Sequence, residues 1–299
     1  MTTPSRPFTS AQGPAEFEAL IQDIRPELHR YCTRMIGSVV DAEDLVQEAL
    51  AKAYAALPTT EVANLRAWLF RIAHNKAIDY LRRASHQQLE YLDERALLAE
   101  PDPPLAGPET VALALSLFLQ LAPKQRSCVI LKDVLGYSLA EISELLDATI
   151  PEIKAALHRG RTRLRELSRQ VRADTPIQLG AQERELLRRY VERFNARDFD
   201  AVRAMLADEV RLDLVNRTTR QGRAAVGEYF HRYGQVDDWQ LGLGVVEDRP
   251  AILVYTAGEP QPVYFILLTW EHEQITNIRD FRHARYVMRD AEIATGVQL

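Results

Sequence analysis

SLAEISELLDATIPEIKAALHRGRTRLREL, Ser138 to Leu167, is the stretch whose reading decides the fold. Ser138 with Glu141, and Thr149 with Glu152, each match the S/T-x-x-E capping box, so two helices begin at defined points. Between the first helix and the second cap the chain has only Asp147 and Ala148 in which to turn, the spacing of a helix-turn-helix. Such a turn usually carries glycine; aspartate tolerates left-handed backbone better than most residues, so Asp147 can stand there. On the second helix Lys154, His158, Arg161 and Arg165 recur at i, i+4, i+7 and i+11 and form one stripe. Ile153, Leu157, Gly160, Leu164 and Leu167 form another, which is the expected core contact. The basic stripe is left to face a polyanion.

That local charge stands out because the 299-residue chain is acidic overall, with a formal net charge of −5. No chain-wide signature of nucleic-acid binding exists, so the cluster must carry it. The plain alternative is a solvated helix face. In a helix-turn-helix, however, the second helix enters the major groove. Arginine and lysine there bond guanine O6 and N7, each good bidentate contact discriminating by about 1–3 kcal/mol. Arg159, Arg163 and Arg169 point away from the stripe and suit phosphates, which position the helix without reading sequence. The expected DNA-contact set of this helix is Lys154, Ala155, His158, Arg159, Arg161 and Arg165. Glu152 opposes phosphate unless it caps its helix or accepts from a cytosine amino group.

With 46% hydrophobic and 26% charged residues, the chain is long enough for about two domains. Cys32 and Cys128 are far apart and have no Cys-x-x-Cys or Cys/His neighbourhood, which argues against a disulfide framework or a zinc site. The first fourteen residues, MTTPSRPFTSAQGP, lack the apolar run of a leader, and no run approaches the roughly 18 apolar residues of a membrane span. A soluble cytoplasmic protein is expected, without membrane, metal or cofactor.

Two breaks divide it. AEPDPPLAGPE, Ala99 to Glu109, holds four prolines and a glycine and cannot sustain a helix. ADTPIQLG, Ala173 to Gly180, is the second. The expected organisation is a helical module over 1–95, a linker over 96–110, a helix-turn-helix module over 111–172, a linker over 173–181 and a different domain over 182–299. That last part reads as two helices, Gln182 to Ala196 and Asp200 to Ala207, followed by strand-like runs such as VRLDLVN, AILVYTA and VYFILLTWEH. Helices followed by successive strands argue for an α+β domain with a mostly antiparallel sheet.

The segment LAPKQRSCVILKDVLGYSLAEISELL, continued by TIPEIKAALHRGRTRLREL, resembles region 4 of the extracytoplasmic-function sigma factors of bacterial RNA polymerase. Upstream, DAEDLVQEALAKAYAAL and NLRAWLFRIAHNKAIDYLRRA resemble region 2 of that family; together the matches cover about Glu18 to Arg172. The resemblance implies two all-α modules and binding to core RNA polymerase and promoter DNA. It places Asp41, Glu43, Asp44, Leu45, Gln47 and Glu48 against the clamp helices of the largest polymerase subunit. Acid favoured by a helix dipole, worth a few tenths of a kcal/mol, is the plain reading of the same residues, with Asp41 as a helix cap. In the second segment Trp68, Arg71, Asn75 and Lys76 are the implied contacts to the melted −10 element, Asn75 reading an extruded base. A base stacked on an aromatic ring is worth about 1–3 kcal/mol, although Trp68 equally fits a core. The loop Leu57 to Leu65 is where the resemblance puts separated DNA. The implied mechanism is recruitment and melting, with no covalent chemistry.

From Glu183 onward the chain resembles the SnoaL-like polyketide cyclase superfamily, a curved sheet and helices around a pocket, through ELLRRYVERFNARDFDAVRAMLADEVRLDLV, GRAAVGEYFHRYG and ITNIRDFRH. In sigma factors with such a tail, the tail is implied to take over control otherwise exerted by an anti-sigma protein. Asp213, Trp239, Tyr255, Tyr264, Asp280 and Arg282 are the expected pocket residues, with His231 and His283 near the mouth. A buried aspartate can serve as a general base. Asp213, between Leu212 and Leu214, equally fits a solvent face, Asp280 with Arg282 a plain ion pair, and the aromatics a core. A small-ligand pocket, a surface against the sigma regions and a catalytic site all stay open here. So do two rival functions: a DNA-binding regulator that never joins polymerase, and a small isomerase or cyclase with a DNA-binding front end.

Overall fold

The computed structural model describes residues 14–60, 62, 64–94, 117–168, 181–236, 238–247 and 249–295. Contacts divide the chain into two units, Met1–Asp174 and Thr175–Leu299. The expected linkers, 96–110 and 173–181, lie outside the described residues except for Ala181, which opens a helix.

In the first unit α1 (Pro14–Ile36), α2 (Val39–Ala56) and α3 (Leu65–Glu94) pack on one another. Gly37, at φ 88°, ends α1 in a conformation that only glycine adopts without strain. Ser38 then caps α2 by accepting from the Asp41 amide at 3.1 Å. The cap is therefore Ser38, not Asp41 as the sequence suggested. Asp41 sits in the first turn, where the dipole favours acid, and accepts from Tyr80 Oη at 2.9 Å.

Farther along come α4 (Pro123–Val129), a π-helical turn (Ile130–Val134), α5 (Leu139–Leu146) and α6 (Ile150–Ser168). The Ser138 hydroxyl accepts from the Glu141 amide, and the Glu141 carboxylate accepts from the Ser138 amide at 2.7 Å, so α5 starts on a complete capping box. At α6 the Thr149 amide donates to Glu152 at 2.9 Å and the Glu152 amide donates back to Thr149 Oγ1. The Thr149 contacts, with Lys124 beside them, hold the Glu152 carboxyl down at about 2. Glu152 is thus a cap, which settles one of the two roles open for it. Asp147 takes the left-handed turn position, at φ 52° and ψ 50°. Gly160 lets α6 approach α4, because a Cβ there would stand 2.8 Å from Val129 Cγ2.

One apolar core runs through both helical groups, joining Leu28, Leu69 and Phe70 to Val129, Ile142 and Ile153. Phe70 meets Tyr137 edge-on with ring centroids 5.5 Å apart, and Arg66 Nε donates to Tyr137 Oη at 2.9 Å. The buried Arg126 donates to the carbonyls of Met35, Leu119 and Leu121.

The second unit begins with α7 (Ala181–Asn195) and α8 (Phe199–Ala204), then β1 (Leu206–Leu214), β2 (Thr218–Gln221) and α9 (Arg223–Tyr233). β3 (Trp239–Val246), β4 (Arg249–Thr256), β5 (Tyr264–Glu271), β6 (Gln274–Asp280) and β7 (Ile293–Thr295) follow. The sheet order is β2-β1-β6-β5-β4-β3-β7. Every neighbouring pair is antiparallel except β1 with β6, which is parallel. Alternate strand residues, among them Leu212, Ile252, Ile266 and Ile278, meet Tyr190, Phe194, Val202 and Phe230 of the helices in a second core. Sequence periodicity had not singled out α9, β2 or β7. The polar run TTRQ and the three-residue β7 have no apolar alternation to show.

Candidate functional site

On α6 the basic stripe is a surface. Lys154, His158, Arg159 and Arg165 are exposed, Ala155 and Arg161 half-buried, while Ile153, Ala156 and Leu157 turn into the core. Arg161 is already engaged, its Nε donating to Asp133 Oδ2 at 2.9 Å in a two-pronged contact. A recess of about 320 Å³ opens here, walled by Lys132, Lys154, His158, Arg161 and Arg165 over Leu139 and Leu157. Among the described residues its lining holds no carboxylate. Lys132 was missed from sequence because it lies on the π-helical turn, out of register with the α6 stripe. Arg163 faces Glu166 at 3.4 Å, and Arg169 lies outside the described residues.

The acidic face of α2 is narrower than its sequence suggests. Asp44 and Glu48 are exposed and Asp41 and Gln47 half-buried. Glu43 is fully buried and paired with Arg25, and Leu45 is core. Both were expected at a partner surface; both face inward instead, because they fall on the helical face that packs against α1 and α3. On α3, Arg71, Asn75 and Arg82 form an exposed stripe, Lys76 is half-buried with its Nζ 2.7 Å from Glu48, and Trp68 is half-buried against the core. Arg71 Nη2 donates to the Glu144 carbonyl of α5 at 2.9 Å. His74 points inward to Tyr31 Oη, 2.7 Å away.

In the second unit a cavity of about 70 Å³ is lined by Leu214, Arg220, Tyr229, Tyr233, Arg282 and His283. Behind it Asp280 is fully buried. Its Oδ2 accepts from Tyr229 Oη at 2.8 Å and Tyr233 Oη at 3.3 Å, and its Oδ1 accepts from the Arg282 amide at 2.8 Å. The Tyr233 and Tyr264 hydroxyls are 2.7 Å apart. Burial pushes the Asp280 carboxyl above the ordinary range, against the pull of these hydrogen bonds. Burial also raises Tyr229 and Tyr233, and carries Tyr264 up to about 12, so the hydroxyls stay protonated donors.

Of the expected pocket residues, Arg282 lines the cavity and Asp280 and Tyr264 support it. The other three do not reach it. Asp213 lies on the opposite sheet face, 3.7 Å from Arg279, for the alternation that sends Leu212 inward sends Asp213 outward. Trp239 is core, with Arg197 3.6 Å over its ring. Tyr255 is on the outer face, against Gly242. His231 is exposed, 3.2 Å from Gln235, whereas His283 does line the cavity. Asp280 reaches Arg282 through its main-chain amide rather than as the plain ion pair considered above. Tyr229 and Tyr233 were missed, although their i, i+4 spacing in GEYFHRYG is the signal that would have found them.

Comparison with known proteins gives the chain its relatives. Family models match as Sigma-70 region 2 over residues 20–87, Sigma-70, region 4 over 113–164, and SnoaL-like domain over 187–266. Over 274 residues the chain is 30% identical to the ECF RNA polymerase sigma factor SigG of Mycobacterium tuberculosis, spanning 80% of this chain and 73% of the relative. The chain belongs to the ECF RNA polymerase sigma factors. The sigma factor SigW of Bacillus subtilis is 32% identical over 165 residues, 50% of this chain and 87% of that one. The crystal structure of the Mycobacterium tuberculosis sigma factor SigJ aligns with a TM-score of 0.34 and 20% identity, covering 90% of this chain and 95% of that chain. As a sigma factor this protein acts in transcription initiation, and a SnoaL-like domain is fused behind its region 4. Membership implies RNA polymerase and promoter DNA as partners. No helix among the described residues is long and apolar enough to cross a membrane.

Proposed function

We propose that this sigma factor docks on core polymerase through the exposed acid of α2 (Asp44 and Glu48, with Asp41 and Gln47 at the edge). It reads the melted −10 strand with Arg71, Asn75, Lys76 and Trp68 of α3. It holds the −35 duplex with Lys154, His158, Arg159 and Arg165 of α6, Ala155 and Arg161 lying at the margin of that face. The C-terminal unit regulates this activity.

The common core of the two helical groups carries the reading furthest. Two elements roughly 25 base pairs apart are separated by about 85 Å at about 3.4 Å per base pair. A compact domain of about 150 residues is only about 40 Å across. The closed first unit therefore cannot touch both elements, and binding requires α1–α3 to part from α4–α6. Parting also releases Arg71 from the Glu144 carbonyl. A partner that binds the open form better shifts the population toward it, which gives core polymerase its part in promoter recognition.

Run-off transcription with purified core polymerase on a promoter library tests the reading, comparing the full chain with one truncated after Arg172. Truncation is expected to change output, and Lys154→Ala to weaken binding of the −35 duplex with a reduced salt slope. Failure to associate with core polymerase, with or without the tail, would overturn it.

A further inference from the structure

The cavity of the second unit collects more positive charge than the described carboxylates around it pair directly. Arg282 and Arg285 follow β6, Arg217 lies between β1 and β2, and all three act on His283 together with its burial, which is the larger effect, to hold its imidazole below the ordinary histidine range. Among the described residues none of the three guanidinium groups has a carboxylate within salt-bridge distance. Arg282 instead lies 5.4 Å over the Tyr233 ring, and Arg285 5.6 Å over that of Tyr264. Arg220, the other cation in the wall, is matched by Glu228 at 2.8 Å. Asp280 acts on Arg282 through space but makes no direct ion pair with it, its oxygens being turned to Tyr229, Tyr233 and the Arg282 amide.

The rest of the lining is apolar: Leu214 and the rings of Tyr229 and Tyr233. The cavity, about 70 Å³, is far below the roughly 300–1,000 Å³ of a site for a drug-sized molecule. We propose that this cavity is a binding site for a small organic carboxylate, its anionic group on Arg282 and His283 and its short carbon chain against Leu214, Tyr229 and Tyr233.

The chemistry follows from the parts. A guanidinium presents a planar pair of N–H donors that matches a carboxylate, and the aromatic walls exclude water from the contact. The inference deepens the regulatory reading of the C-terminal unit by naming the signal it takes. Because binding is measured without polymerase, the two readings fail separately.

The test is calorimetric titration of the full chain with acetate, butyrate, hexanoate and benzoate, each paired with its neutral amide, and with inorganic phosphate. At least one carboxylate is expected to bind saturably at one site per chain, its amide and phosphate at least tenfold more weakly. Arg282→Gln should lower that affinity tenfold or more and Arg282→Lys by less. Arg211→Gln, an exposed arginine of β1, should leave it unchanged. Should Arg282→Gln fail to melt cooperatively, His283→Ala replaces it, with a loss of threefold or more. The proposal is overturned if no carboxylate saturates, if an amide or phosphate binds as tightly as the acid, or if a folded Arg282→Gln chain binds with unchanged affinity.

Discussion

Glu43 in the first unit and Asp280 in the second are both fully buried carboxylates, and the protein treats them in opposite ways. Glu43 is given a cation, Arg25, itself nearly buried, and the pair locks α1 to α2. Asp280 accepts hydrogen bonds only from neutral donors, two tyrosine hydroxyls and an amide, while the Arg282 guanidinium acts on it through space and lies over the Tyr233 ring. A charge matched by a countercharge is fixed and serves the fold. A buried carboxyl with no direct ion pair keeps its proton more readily, because burial outweighs the pull of its donors, and leaves the neighbouring guanidinium available to a further anion.

The sharpest way to break that contrast is Glu43→Ala. It takes the Glu43 carboxylate from Arg25, and removing one partner of a buried pair costs about 3–5 kcal/mol. The first-unit transition in calorimetry should fall accordingly, and Arg25→Met with Glu43→Leu should recover most of the loss. A drop under about 1 kcal/mol would mean that water reaches the pair. Asp280→Ala is next: it takes the acceptor from the Tyr229 hydroxyl and the Arg282 amide and leaves Tyr233 only its contact with Tyr264, for a cost of about 1–3 kcal/mol in the second-unit transition. Asp280→Asn should have a smaller effect at neutral pH but a distinct signature. The folded-state pKa of Asp280 is raised, so its contribution is fully present below the ordinary aspartate value of 3.8 and is lost as pH rises through the raised one. The second-unit transition of the parent should therefore weaken over that window, and the asparagine variant should lack this slope. A parent and variant with the same pH profile would place Asp280 among the ordinary carboxylates. Smallest of all is Arg161→Ala, which removes an exposed ion pair with Asp133. Stability should change by no more than about 1 kcal/mol, by thermal melting, leaving any larger effect on DNA binding to the contact surface itself.

The same contrast explains what was legible in the sequence. The helix-turn-helix is written locally: both capping residues, the turn and the two stripes of α6 lie within thirty consecutive residues, and helical spacing sorts them. Glu43 shows where that fails, since it stands one residue from the exposed Asp44 and only the packing of α2 decides which of them is inside. The cavity fails more completely. Leu214, Tyr229, Tyr233 and Arg282 come from a strand, a helix and a turn; the i, i+4 tyrosines share a face locally, but their meeting with Leu214 and Arg282 depends on the parallel pairing of β1 with β6, a long-range event that no short window marks. Asp213 was misplaced for a simpler reason: alternation gives two faces to a strand without saying which is concave.

Arg126 gives the first unit a snap rather than a slide. Its guanidinium joins the Met35 carbonyl, at the end of α1, to those of Leu119 and Leu121 just ahead of α4. Drawing the helical groups slightly apart takes the Met35 acceptor from a cation still enclosed by the other two, the state that a low-dielectric interior penalises most. Only full separation lets water replace what was lost. In the opening proposed above, half-parted forms are thereby disfavoured and the shut and spread arrangements are the two settings to expect.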